Sequence, residues 1–416
     1  MTRPTARAAL RAFALPALLA CAAAQAEPIS VLFVGNSYTF GRVDPVMSYN
    51  AANVRDLTAP MAAADSTGSN AFEPHPWGGV AGVFKQLTVQ AGLDYQVALS
   101  TRNAASLRGH FLNSNPANWD LRGNIASQTW SKVVLQEQSD EALPKQAGLA
   151  SNPAYFNTYV NLLENYIHQG QALAYREREL IGGSNAACAA ITGASAGTCG
   201  TLRTIAANPN ASADTEVYLY QTWARPNLVN APFTTVTDPV TGEVSFTTTP
   251  ATSFYSSLQD MTVDLRDAYA KAALDAGADG SGGITGVAPV GEAFMLALAM
   301  GVATANHYAP DAGTDGLPDL WWDDGTHASL YGSYLSALTL YGTLTGLDPA
   351  AFGASEIAAR DLGISGRDAE LLQRVASLQL GFAPGNEVPE PPVVALLGLA
   401  AAVLVIARRR QGMRIK

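Results

Sequence analysis

Five short runs rich in β-branched and apolar residues, at 29–35, 95–101, 132–138, 216–223 and 285–291, are separated by segments whose apolar residues recur at helical spacing. Each run is nearly continuous in hydrophobicity rather than alternating, the pattern of a strand covered on both faces. Helical periodicity marks 80–91, 155–173, 254–276, 292–302 and 328–344. In 254–276 it puts Leu258, Met261, Leu265, Ala268 and Tyr269 on one face. This alternation predicts an α/β fold, a parallel sheet wound with helices on both sides. The connections at 41–79, 102–130, 183–214 and 225–250 are long and rich in Gly, Asn, Pro and Thr, and read as insertions into one domain over 27–384. Val, Phe and Thr alternate around Thr241-Gly242, which predicts a β-hairpin over 234–249 appended to the sheet.

The two ends read as addresses. Arg3, Arg7 and Arg11 precede an apolar stretch from Ala12 to Ala24, and Ala24-Gln25-Ala26 offers a small-x-small cleavage site, so 1–26 is expected to be a secretory signal peptide. The alternative is a lipobox, Leu18-Leu19-Ala20-Cys21, which would place a lipid on Cys21. At the other end a linker at 385–392 carries Val388-Pro389-Glu390-Pro391. An apolar run over 393–407 and the cluster Arg408-Arg409-Arg410 complete a tail that ends at 416. This order resembles the PEP-CTERM sorting signal of Gram-negative bacteria. The resemblance implies an exosortase as processing partner, transient membrane anchoring through a transmembrane tail, and delivery to the cell surface or extracellular matrix. The alternative is a plain membrane anchor, and both readings put the body outside the cytoplasm.

Charge and cysteine usage fit that placement. The chain carries 25 Lys+Arg against 35 Asp+Glu. Eight of the basic residues sit in the two end segments, which leaves 17 against 35 and a body of about −18. Such a body repels phosphate backbones, so nucleic acid is excluded as a partner. Beyond the leader only Cys188 and Cys199 remain, flanking a loop of small residues, and a disulfide between them is expected. No Cys/His spacing suits zinc.

The chemistry lies at strand ends. The first strand closes on Val34-Gly35-Asn36-Ser37-Tyr38-Thr39, and far downstream stands Asp323-Asp324-Gly325-Thr326-His327. A serine nucleophile needs an imidazole to take its proton and a carboxylate to fix the imidazole tautomer. Asp324 and His327, three residues apart on a turn, can supply both. Gly-Asn-Ser after strand one with Asp-x-x-His near the end resembles the SGNH (GDSL-like) hydrolases, over residues 29–346. The resemblance implies a flavodoxin-like three-layer α/β/α fold, here with a five-stranded parallel sheet and long loop insertions. It implies Ser37 as nucleophile, His327 as general base and Asp324 as its orienting partner. It also implies an oxyanion hole made of the Ser37 N–H, an N–H at Ala104, and the side-chain amide of Gln138 or, alternatively, Gln136. The chain departs from the family in Asn36, where Asp is usual, in Ala104, where Gly is usual, and in the glutamines, where Asn is usual. No cofactor and no metal are expected.

Other residues in the sequence compete with these. Gly193-Ala194-Ser195-Ala196-Gly197 matches the GxSxG elbow, but it sits in a small-residue tract between the cysteines instead of between strand and helix. His75, His110, His168 and His307 are expected to be surface or structural, with His110 and His307 as possible cleft residues. Asp311, Asp315 and Asp319 lack the alternation of an EF-hand loop and read as a solvated acidic segment. Trp321 and Trp322 are placed either in the core or against a sugar, and Tyr38 and Phe40 either in the core or in the pocket wall. The expected activity is a serine ester hydrolase acting on O-acetyl or short-chain acyl esters, with an acylated carbohydrate or small ester as substrate. The alternative is a non-catalytic, matrix-structural or carbohydrate-binding protein on the same fold.

Overall fold

The strand-rich signal at 29–35 becomes the spine of a computed structural model that describes residues 27–67, 75–113, 119–146, 149–229, 254–305 and 316–382, with backbone alone for 234–237 and 244–247. The expected leader with Cys21, the linker, the tail, His307, Asp311 and Asp315 lie outside the described residues. The strands in chain order are β1 (Ile29–Gly35), β2 (Arg55–Asp56), β3 (Tyr95–Thr101), β4 (Lys132–Gln136), β5 (Leu173–Arg176), β6 (Leu202–Ile205), β7 (Glu216–Tyr220), β8 (Thr234–Thr237), β9 (Val244–Thr247) and β10 (Gly286–Ala288). The main sheet runs β10-β7-β4-β1-β3-β2 and all its pairings are parallel. Val31, Leu32, Phe33 and Val34 are wholly buried, as a central strand covered on both faces must be.

The sheet has six strands, not the expected five. The extra strand, β2, pairs only through Arg55↔Ala98 and Asp56↔Leu99. Two charged residues leave no apolar signature to read. Without this edge the order becomes 2-1-3-4-5, the flavodoxin-like arrangement. Its switch point falls between β1 and β4, where the crossovers leave in opposite directions and a crevice opens at the carboxyl ends of the strands.

Helices cover the sheet. Gly79–Gln90 packs against Leu330–Thr345, and Pro153–His168 packs against Leu258–Ala276. Their limits follow local chemistry. Asn152 caps the third of these helices by accepting from Tyr155 N, with Pro153 in its first turn. Gly170, at φ 62°, follows the helix end, so the expected 155–173 helix stops at His168 and Leu173 begins a strand. Ser257 accepts from Asp260 N, which moves the start of the expected 254–276 helix to Leu258. Strand β10 is shorter than the expected 285–291, because Pro289 already caps the helix Val290–Ala299. A further helix, Gly366–Gln379, buries Ala369, Leu372, Val375 and Ala376 and packs against Leu330–Thr345.

Two insertions carry strands of their own. The hairpin expected at 234–249 forms as β8 and β9, antiparallel, but as a separate two-stranded sheet. Strands β5 and β6 pair antiparallel from Leu173↔Ile205 to Arg176↔Leu202 and form the stem of a small arm. Inside it the helices Asn185–Thr192 and Ala196–Gly200 are joined by a Cys188–Cys199 disulfide across a separation of 11 residues. The arm docks through Glu177, whose buried carboxylate accepts from Tyr155 Oη (3.1 Å), Tyr159 Oη (2.6 Å) and Arg108 Nε (2.7 Å).

Closing so short a loop restricts the unfolded chain, so replacing both Cys188 and Cys199 with alanine should lower unfolding stability by about 2–3 kcal/mol. Denaturant melts of the double variant and the parent, each under non-reducing conditions, measure the difference.

Candidate active site

The end of β1 is pinned from both neighbouring strands. From β4, Gln136 reaches beneath the turn. Its Oε1 accepts from Asn36 N (2.9 Å) and Thr39 Oγ1 (2.8 Å), and its Nε2 donates to Asn36 Oδ1 (3.1 Å) and to the Glu137 carbonyl. From the β3 side, the Gly35 carbonyl accepts from Arg102 N (3.2 Å) and His110 Nε2 (2.9 Å). A Cβ at Gly35 would stand 2.4 Å from Gln136 Oε1, so only glycine admits the amide. The chain then turns into the short helix Ser37–Phe40, capped by Asn36 Oδ1 accepting from Tyr38 N.

Asn36 also joins two turns. Its Nδ2 donates to the Ala105 carbonyl at 3.0 Å, tying the turn that carries Ser37 to the turn after β3. An ionised aspartate in the same place offers no donor. Ala104 in that second turn has φ 55°, the left-handed region where glycine is at ease and alanine is strained.

Asp324 and His327 meet on their own turn. Asp324 Oδ1 accepts from the N–H groups of Thr326 and His327, both at 2.9 Å, and Oδ2 lies 2.5 Å from His327 Nδ1. Burial raises the carboxyl pKa, but the bond and charge of His327 and the two N–H groups outweigh it, and the pKa is lowered. An ionised Asp324 sets the proton on Nδ1 and leaves Nε2 to accept. Nε2 lies 2.9 Å from Ser37 Oγ, across 290 residues of sequence. The structure therefore brings Ser37, His327 and Asp324 into one hydrogen-bonded chain at the carboxyl end of β1. Ser37 itself is buried, while His327 and Asp324 are partly exposed.

What holds the histidine turn in place was not marked in the sequence. The Thr326 carbonyl accepts from Tyr38 Oη (2.8 Å) and from Trp223 Nε1 (3.0 Å). The Tyr38 and Trp223 rings stack at 4.0 Å, and Trp223 stacks on Phe294 at 5.0 Å. Tyr38 and Phe40 are thus core residues, as is Trp321, whose Nε1 donates to the Ala224 carbonyl at 3.0 Å. Arg225 adds a polar strap. It donates to Ser139 Oγ (2.9 Å) and Thr326 Oγ1 (3.3 Å) and pairs with Asp140 at 3.4 Å.

The two glutamines separate in role. Both amide hydrogens of Gln136 are engaged beneath the turn, so it positions the turn that carries Ser37 and has no donor to spare. Gln138 lies past the end of β4, partly buried; its Nε2 meets Ser139 Oγ at 3.3 Å and its Oε1 accepts from Asp140 N at 3.3 Å. Glu137 between them is buried, and its Oε1 accepts from Gln138 N (2.6 Å) and Leu107 N (2.9 Å), joining the loops that carry Gln138 and Ala104. Burial and the Glu141 carboxylate hold its pKa well above the usual carboxylate range despite those donors.

The other candidates among the described residues have structural roles. Burial lowers the His110 pKa to about 4, so the ring is neutral and donates to Gly35. His75 lies 2.5 Å from Asp56, and its ring packs on Trp77. His168 lies 2.5 Å from Glu164 and 2.7 Å from the Thr215 carbonyl. Ser195 is exposed, caps the helix Ala196–Gly200 by accepting from Thr198 N, and has no strand before it. Among the described residues no three His, Cys, Asp or Glu side chains form a cluster fit for a metal ion, and no helix is long and apolar enough to cross a membrane.

Relieving the strain at one position tests the reading of the second turn. Ala104→Gly should raise stability by up to about 1 kcal/mol, the left-handed penalty less the added chain entropy. Urea denaturation measures it, and a loss of stability would contradict the strained assignment.

No family model matches the chain, and no curated protein matches it. Among solved structures, it is similar to a candidate SGNH hydrolase from Slackia heliotrinireducens, 18% identical with a TM-score of 0.36, the match covering 76% of this chain and 99% of that one. It is also similar to a DUF4886 family protein from Bacteroides uniformis, 14% identical with a TM-score of 0.39, over 85% of this chain and 94% of that one.

Proposed function

We propose that the protein is an exported serine hydrolase acting on carboxylic esters. The observation that carries this reading is the relay from Ser37 Oγ through both nitrogens of His327 to Asp324, at 2.9 and 2.5 Å. In the proposed mechanism His327 Nε2 takes the hydroxyl proton as Ser37 attacks the acyl carbonyl, and Asp324 stabilises the imidazolium. The tetrahedral oxyanion is met by the Ser37 N–H, the Ala104 N–H and the Gln138 side-chain amide. His327 returns the proton to the leaving alcohol, then activates water to release the acid and free Ser37.

The substrates proposed are O-acetyl or short-chain acyl esters, including those on extracellular polysaccharide. Export and exosortase processing rest on the leader, the PEP-CTERM-like tail and the Cys188–Cys199 disulfide, which suits an oxidising compartment.

A fluorophosphonate probe should label the parent at Ser37, with no labelling of Ser37→Ala. With p-nitrophenyl acetate, Ser37→Ala and His327→Ala should each lower kcat by on the order of 10⁶, and Asp324→Asn by about 10⁴. Parent protein that neither labels nor turns over the ester would sink the enzymatic reading and leave the non-catalytic surface protein in its place. Gln138→Ala should lower kcat by about 10²–10³ with little change in KM, the signature of a donor used mainly in the transition state. A KM-only effect would remove Gln138 from the oxyanion hole.

A further inference from the structure

One buried carboxyl takes no part in the proposed relay. Glu137 is 1% exposed and stands at the end of β4, between Gln136 and Gln138. A carboxyl taken out of water is costly unless hydrogen-bonded, and a methionine of much the same shape would fill the space without that cost. Packing alone therefore gives no reason for an acid here.

The reason lies in what the acid touches. Glu137 Oε1 accepts from Gln138 N at 2.6 Å and from Leu107 N at 2.9 Å. Leu107 opens the helix Leu107–Leu112, three residues after Ala104. The Glu137 carbonyl accepts from Gln136 Nε2, the amide that lies beneath the turn of Ser37. One residue is thus bonded directly to the loop of Gln138 and to the segment that follows Ala104, and through Gln136 to the turn of Ser37. These are the three pieces of chain that the proposed mechanism brings to the oxyanion. The Gln138 side chain is held more loosely than its main chain, by contacts of 3.3 Å to Ser139 Oγ and Asp140 N, so the aim of its amide follows the Glu137 anchor.

Burial and the neighbouring Glu141 raise the Glu137 pKa well above the usual carboxylate range, which keeps the group protonated. A protonated acid still accepts two N–H bonds on one oxygen, and it sets no negative charge beside a developing oxyanion.

We propose that Glu137 is a positioning residue of the oxyanion hole, which holds the Gln138 amide and the Ala104 N–H at the spacing a single oxygen needs. It touches no substrate and acts through the two loops. The proposal rests on the ester-hydrolase reading, since that reading gives the two donors a common target.

The test compares kcat and KM for p-nitrophenyl acetate with urea melts, in the full chain. Glu137→Met keeps the shape and removes the acceptor. It should lower kcat by about 10², the effect of a group displaced by on the order of 1 Å, with KM within about threefold of the parent. Glu137→Asp, one methylene shorter, cannot span both N–H groups; it is the milder second variant should Glu137→Met fail to fold, with the same loss expected. Glu137→Gln places a neutral carbonyl oxygen where Oε1 lies and should hold kcat within about fivefold. Combining either damaging variant with Gln138→Ala separates positioning from support of the fold. Once the amide is gone, the change at Glu137 should cost kcat no more than about tenfold further. Losses that multiply in full, an effect on KM alone, a slowing that matches the unfolded fraction, or a Glu137→Gln enzyme as slow as Glu137→Met overturns the proposal. A parent that neither labels with the fluorophosphonate nor turns over the ester removes the esterase reading and this one with it, whereas an active parent with any of those variant results removes this one alone.

Discussion

The site depends on a side-chain amide buried where a strand gives way to a turn. Gln136 lies under Gly35 and Asn36, wholly out of water, and a buried amide without partners costs several kcal/mol. All its polar atoms are satisfied, by Asn36, Thr39 and Glu137, so departure of the turn from its position would strand them. The turn that presents Ser37 is thereby fixed by a cost of displacement rather than by the strength of any one bond. Gly35 is the condition for this, since any larger residue would exclude the amide.

A second constraint joins the two halves of the site. Ser37 and His327 come from opposite ends of the chain, yet Tyr38, next to the serine, donates to the carbonyl of Thr326, next to the histidine. Trp223 donates to the same carbonyl and stacks on Tyr38. Three elements distant in sequence thus share one acceptor, and the stack continues into the core through Phe294. Arg225 extends the linkage to Ser139, so the turn that carries His327 and the loop that carries Gln138 are held by a common strap.

Much of this was legible in the sequence because its causes are local. Long buried strands betray themselves by unbroken hydrophobicity, and Asp324 and His327 lie near enough on a turn to be paired by inspection. What escaped depends on partners remote in the chain. Strand β2 has no periodicity of its own, and β5 and β6 become strands only by meeting one another. Gln136 and Gln138 are chemically the same residue two positions apart, and only the packing beneath Asn36 separates the buried prop from the partly exposed amide. Trp321 and Trp322 pose the same problem: neighbours along a chain point in different directions, and which one meets solvent depends on whether Ala224 is there to take the indole N–H. The bond from Asn36 to the Ala105 carbonyl likewise joins residues too far apart in the chain to be paired by inspection.

The brevity of β2 has a consequence for how these molecules behave in company. Beyond its two residues the outer margin of the sheet offers little backbone for a foreign strand to adopt. Asp56 folds its carboxylate back onto Thr58, Ala59 and His75, and Lys85 Nζ already occupies the Tyr95 carbonyl. Exposed Arg55 adds a charge that resists a dry, edge-to-edge junction. This margin of the sheet is in this way a poor template for the addition of a foreign strand.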